Sequence, residues 1–191
     1  MARNPERRTA LVDAAIEVLA HEGARGLTFR AVDARAGVPV GTASNYFADR
    51  DDLLTQTAGR IHVRMTPDPA QVGRALRPEP SRELVTELMR WLVQRMSAER
   101  TGYLAMLELR LEATRRPALQ AELNRAVRAA YDESVRFHFD AGLPGDEDTF
   151  LVLYLAMTGV LLEHLTLPDM LPEPDLDRLV ESVVTRVLPP R

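Results

Sequence analysis

The 191-residue chain is 46% hydrophobic and 27% charged, the composition of a soluble globular protein long enough for one or two small domains with a sizeable core. It has no cysteine, which excludes a disulfide framework and thiolate metal sites and suits a reducing cytoplasm. The net charge of −4 is not a basic signature, but residues 1–66 hold nine arginines against eight acids and the remainder fifteen against twenty. A near-neutral first third can still hold phosphate if Arg3, Arg7, Arg8, Arg30 and Arg50 share one face.

In chain order, Leu11, Ala14, Ala15, Val18 and Leu19 repeat at helical spacing and predict a first helix from about Glu6 to Glu22, ended by Gly23. Thr28 caps a short second helix with Phe29, Val32 and Ala36 near helical spacing, and Gly37 ends it. Val38-Pro39 turns the chain, and Val40 to Phe47 has the length of two helical turns. Asp49 caps a further helix through Leu53, Leu54 and Ile61 to about Met65, where Thr66-Pro67-Asp68-Pro69 stops it. Residues 66–80 hold four prolines and mark the clearest boundary. Beyond it Ser81 caps a helix through Leu84, Leu88, Trp91, Leu92 and Met96. Further helices are expected over Tyr103–Arg116, Ala118–Ala141, Glu147–Leu167 and Asp175–Leu188, the last two separated by the proline-rich Pro168 to Pro174. The apolar run Phe150 to Leu162 is too short to span a bilayer, and the polar start of the chain carries no secretion signal, so a cytoplasmic protein with no membrane partner is expected.

No strand pattern interrupts these helices. The expected fold is all-α: an N-terminal three-helix head and a C-terminal helical body. The domains are expected at 1–50 for the head, 51–66 for a connecting helix and 67–191 for the body. Two short helices joined by a glycine-containing turn have the geometry of a helix-turn-helix, whose second helix can enter the DNA major groove.

The residues that form this unit also carry a resemblance. The run Leu27-Thr28, Ala36-Gly37-Val38, Gly41-Thr42, Tyr46-Phe47, Asp49-Arg50-Asp51 and Leu53 resembles the DNA-binding domain of TetR-family transcriptional regulators. The likeness extends upstream over Arg7 to Gly26 and departs from the family pattern at Ala43-Ser44. Val40, Thr42, Ser44 and Asn45 are the side chains expected at base edges, Asn45 pairing with adenine. Gly41 permits close approach. Tyr46, Thr28, Arg30 and Arg50 are expected at phosphates, the helix starts adding backbone N–H groups.

The resemblance implies a homodimer held by the last two helices, with Leu151, Leu155, Thr158, Gly159, Leu162, Val180, Val183, Val184 and Val187 on apolar faces. It also implies an unknown small-molecule inducer bound in the body, where Trp91, Met96, Tyr103, Met106, Phe137, Tyr154 and Met157 combine adaptable and aromatic surface. Core packing is the competing reading for each of those residues. Glu108 and Glu112 share a helix face and read as ion-paired with nearby arginines. No nucleophile, metal-ligand pair or phosphate loop is present, so no enzyme, cofactor or metal is expected. The function implied is a repressor released from a palindromic double-stranded DNA operator by its inducer. An activator or a ligand-independent DNA-binding protein is the alternative.

Overall fold

The computed structural model describes residues 4–170 and 175–188. Arg3 and part of the stretch Pro168 to Pro174 lie outside the described residues. Within them the chain forms α-helices and two short 3-10 turns and no strand, the all-α architecture expected. Two compact units are formed, one from the chain up to Thr66 with Glu99–Arg128, the other from Pro67–Ala98 with the chain from Ala129 onward.

The first unit begins with α1 (Pro5–Gly26), whose start is fixed by Pro5 and by Asn4, a side-chain acceptor for the Glu6 and Arg7 amides. Gly23 takes φ +70° and interrupts the helix where the sequence predicts its end. The second helix, α2 (Phe29–Arg35), starts on Thr28, which accepts from the Ala31 amide at 3.1 Å. The third, α3 (Arg50–Met65), starts on Asp49, which accepts from the Asp52 amide at 2.8 Å. α1 packs on α2, on α3 and on α6 (Arg100–Ala113), and α6 also packs on α3. Leu19, Val32, Phe47, Leu54, Ile61 and Leu109 meet in one core from these helices. Each large side chain so buried is worth roughly 1.5–3 kcal/mol. Arg60 closes a two-pronged ion pair on Asp13 at 2.8 and 3.0 Å, and Arg64 joins Glu99 at 2.5 Å, tying α3 to α1 and to the start of α6.

The second unit holds α4 (Pro69–Ala75), α5 (Arg82–Ala98), α8 (Glu147–Thr166) and α9 (Leu176–Val187). The unit boundary falls inside α7 (Pro117–Asp140). α5, α8 and α9 pack on one another, with Val85, Val93, Leu153, Leu161, Val180 and Val184 buried. Tyr131 meets Tyr154 and Phe150 edge-on at 5.1 and 5.7 Å, linking the end of α7 to α8. His138 lies buried beside Phe150 and donates from Nε2 to the Pro144 carbonyl at 3.0 Å.

Three features of the fold go beyond the helical pattern of the sequence. Inside the boundary stretch 66–80, Pro69–Ala75 is helical, because Pro69 occupies the first helical position and Asp68 caps it by accepting from Ala70 at 2.7 Å. Residues 99–128, within the expected body, pack with the head through the contacts of α6 with α1 and α3. Finally, the apolar run Phe150 to Leu162 belongs to a 20-residue helix, α8, which is long and apolar enough by length and composition to cross a membrane. Only 22% of its most apolar stretch is buried within the chain.

Candidate nucleic-acid interface

The segment Val40–Phe47 follows α2. The Gly37 and Val38 amides bond back to the carbonyls of Ala34 and Asp33, and Gly37 at φ +65° reverses the chain. The sequence predicts two turns of helix over Val40–Phe47. The structure instead has a tight turn through Val40–Thr42 and a single 3-10 turn, Ala43–Asn45. Gly41 is the reason, since its φ of +92° cannot continue a right-handed helix. Its role is therefore to supply that turn. A Cβ built there would meet nothing within 4 Å, so only the backbone conformation demands glycine.

The segment stands on a buried base. Ala43 is fully buried and its carbonyl accepts from the amides of Tyr46 and Phe47 at 2.8 and 3.0 Å. Phe47 is buried and stacks near Phe29, with ring centroids 6.4 Å apart. Asp33, fully buried on α2, accepts from the Gly41 and Ala43 amides at 2.7 Å each. Above this base Val40 is 78% exposed, and Ser44 and Asn45 are exposed beside it. Thr42 is half-buried and its hydroxyl donates to the Pro39 carbonyl. Ser44 and Asn45 both donate to the Gly41 carbonyl, at 2.8 and 2.9 Å. Asn45 keeps a second amide hydrogen and its carbonyl oxygen, the pair a bidentate adenine contact uses.

The arginines divide differently from the expectation. Arg8 donates to Gln56 at 2.6 Å and lies over the rings of Tyr46 and Phe47, at 5.7 and 5.5 Å from their centroids. It braces the segment from within. Arg50 donates to the Ala24 carbonyl and pairs with Glu112 at 3.6 Å, so its guanidinium is engaged inside the unit. Arg7 and Arg30 remain exposed. Thr28 and Arg30 border an open groove of about 690 Å³ with Glu22, Gly26, Ala31, Ala34 and Arg35. Tyr46 is half-buried.

Four further positions bear on this region. Arg35, five residues beyond Arg30, shares its groove, a spacing visible in the sequence. Asp33 sits beside Val32 on the buried side of α2, where a helical stripe calls for an apolar residue. That mismatch was the available signal. Glu108 accepts the Ala24 amide at 3.0 Å. One turn on, Glu112 is buried and pairs with Arg116 and Arg115 at 2.6 and 3.1 Å besides Arg50. The hydrogen bond from Arg116 Nε holds the Glu112 carboxyl below the usual range. The pairing with Arg115 and Arg116 agrees with the ion-paired reading. The reach of both glutamates to the end of α1 and the start of α3 needed the fold.

The seven residues expected at a ligand do not gather in one unit. Tyr103 and Met106 belong to the first, and Met106 packs against its core. Met96 and Met157 are buried in the second and fill it. Phe137 and Tyr154 are half-buried, Tyr154 against Tyr131. Trp91 borders a groove of about 430 Å³, with Arg74, Pro78, Ser81, Glu83, Leu84 and Glu87 among its other walls. Arg95 lies over the indole at 4.9 Å, and burial lowers its pKa.

Residues 11–57 match the family model of bacterial regulatory proteins of the tetR family, and residues 80–190 that of the tetracyclin repressor-like C-terminal domain. A solved TetR-family member from Streptomyces coelicolor A3 is 34% identical, covering 97% of this chain and 100% of that one, with a TM-score of 0.71. The multidrug binding protein EbrR, solved with ethidium, is 32% identical over 97% and 100% of the two chains, with a TM-score of 0.69. The nicotine-responsive transcriptional repressor HdnoR of Paenarthrobacter nicotinovorans is 23% identical over 95% of this chain and 96% of its own. Members of this family bind DNA operators, typically as dimers, and take small-molecule ligands. The chain belongs to the TetR family and is a DNA-binding transcriptional regulator, not an enzyme.

Proposed function

We propose that the protein is a cytoplasmic repressor that holds a near-palindromic operator as a homodimer and is released by a small molecule. The observation that carries the reading is the exposed turn of Val40, Ser44 and Asn45, raised on the buried base of Asp33, Ala43 and Phe47. Val40 and Asn45 read base edges, with Thr42 and Ser44 beside them and Gly41 keeping the backbone close. Thr28, Arg30, Arg35 and Tyr46 hold phosphates, which positions the head without specifying sequence. Residues 1–50 serve as the reading head, 51–66 as its connection, and the chain from 67 as the ligand and dimerisation part. The span 99–128 is assigned to the head side.

Dimerisation is assigned to α8 with α9. Val152, Leu155, Gly159 and Leu162 follow one another at alternating three- and four-residue steps along α8 and are exposed. That spacing makes a narrow apolar seam suited to the same helix of a second copy. Leu179, Val183 and Val187 of α9 are half-buried and continue the apolar surface.

Ligand and operator favour different conformers, so each weakens the other by the same factor. The α6 helix is the element through which the head responds, because Glu108 and Glu112 hold the Ala24 amide and Arg50. The ligand site is assigned to the second unit, with Trp91, Phe137 and Tyr154 as its aromatic surfaces. The test is a titration of the protein with the DNA flanking its own gene, against random DNA at the same salt. Ethidium, proflavin and malachite green, the dyes solved with EbrR, are then added with nicotine as first probes of release. Selective binding relieved by a probe that also raises the thermal midpoint supports the reading. Equal affinity for flanking and random DNA overturns it.

A further inference from the structure

We propose that Asp33 is a positioning residue for DNA selection: its carboxylate sets the shape of the segment that reads bases. The proposal rests on the reading of Val40–Asn45 as the DNA-reading turn. Asp33 is fully buried, one residue from the core position Val32. Its Oδ2 accepts the Gly41 amide and its Oδ1 the Ala43 amide, each at 2.7 Å. Its own backbone carbonyl accepts the Val38 amide at 3.0 Å. One residue of α2 thus holds the entry, the middle and the base of the turn.

The local backbone explains why an outside acceptor is needed. The Thr42 amide bonds to Pro39, and the Asn45 amide to Thr42, so these two donors are satisfied within the segment. Among the described residues the Gly41 and Ala43 amides have no backbone acceptor within the turn. The Asp33 carboxylate takes both. Among the described residues no ion pair is formed by Asp33, so its charge is met by these two N–H groups rather than by an arginine. A buried carboxylate on a core stripe is costly to keep, and it is matched here by short charge-assisted bonds. The Gly41 carbonyl on the same turn receives the Ser44 hydroxyl and the Asn45 amide. A shift of Gly41 therefore moves both exposed polar side chains together.

The discriminating variant is Asp33→Asn. It keeps volume and shape but replaces one acceptor oxygen by an NH₂ group, which sets donor against donor at Gly41 or Ala43. Binding of operator and of random-sequence duplex is measured at one fixed salt, beside the helical circular dichroism and the oligomeric state. The expected result is an unchanged dimer with native helicity, operator affinity lower by roughly tenfold or more, and random-duplex affinity nearly unchanged, because phosphate contacts are kept. Equal loss on both DNAs, or full retention of selectivity, overturns the proposal. Amide hydrogen exchange of the unsubstituted protein decides the matter should Asp33→Asn not fold. Protection of the Gly41 and Ala43 amides well above that of the exposed Ser44 position supports the latch, and exchange as fast as an open turn overturns it. That second measurement uses no DNA. A wild type with protected amides but no sequence preference would thus sink the reading turn and leave the latch standing.

Discussion

Gly159→Leu separates the protomer from the dimer by giving opposite signs in the two. A Cβ at Gly159 meets nothing within 4 Å in the single chain, so the fold of one copy has room for the new side chain. Glycine in a helix interior costs about 1 kcal/mol relative to alanine, and leucine recovers most of this, so the isolated helix gains stability. The dimer should lose it. Gly159 lies between Leu155, 59% exposed, and Leu162, 39% exposed, in the seam proposed to meet the same helix of a second copy. Overfilling a packed site costs roughly 1–3 kcal/mol, and the two-fold axis imposes it twice, for roughly 2–6 kcal/mol. At about 1.4 kcal/mol per decade this weakens dimerisation by roughly 30-fold to 10⁴-fold. Sedimentation equilibrium over a concentration series measures the dimer constant, and the thermal midpoint at the lowest concentration reports the protomer. Gly159→Ala should be close to neutral in both. A Gly159→Leu dimer as tight as wild type, or a protomer that unfolds, would refute the assignment of α8 to the interface.

Three further predictions follow from the geometry. Asn45→Ala should reduce selection at one operator position by about 1–3 kcal/mol while binding to random duplex is retained, read by competition at fixed salt. Arg50→Ala should lower stability by about 1–2 kcal/mol through the lost bond to Ala24, with the salt slope of DNA binding unchanged. A phosphate ligand would instead flatten that slope by about one. Burial lowers the His138 pKa from the ordinary 6.5, only partly offset by the bond to Pro144. The unfolded chain then binds the proton more readily, so this contribution is full above about pH 6.5 and declines as the pH falls below it. Denaturant midpoints of His138→Gln should accordingly fall less than wild type between pH 7 and pH 5, and an equal fall would remove His138 as a cause.

Much of the helical layout was legible because it is written in local chemistry. Thr28, Asp49, Ser81, Asp146 and Asp175 each accept an amide at the start of their helix, and Gly23, Gly37 and Gly142 turn the chain at positive φ. Local chemistry also misled. Pro69 reads as a breaker in a row of prolines, yet as a first helical residue it opens α4. The reading segment is shaped by Asp33 from eight and ten residues away, which no helical periodicity reports. Arg8 and Arg50 stand at helix starts where exposed cations are common, but long side chains can fold back, and these two meet Gln56, Ala24 and Glu112. The grouping of residues 99–128 with the head depends on partners such as Glu108 and Ala24, 84 residues apart. Of the expected ligand set, Met96 and Met157 are core, because methionine at helical spacing fits a cavity wall and a packed interior equally well.

The most direct test of the account is selection from a pool of random duplexes by the wild-type protein, followed by sequencing of the bound fraction. Two identical heads related by a two-fold axis should enrich an inverted repeat whose half-site centres lie about one helical turn, 10–10.5 base pairs, or a multiple of it apart. Asn45→Ala should blur one position in each half of that repeat. Enrichment of no motif, or of a single asymmetric site bound by one copy, would contradict the account.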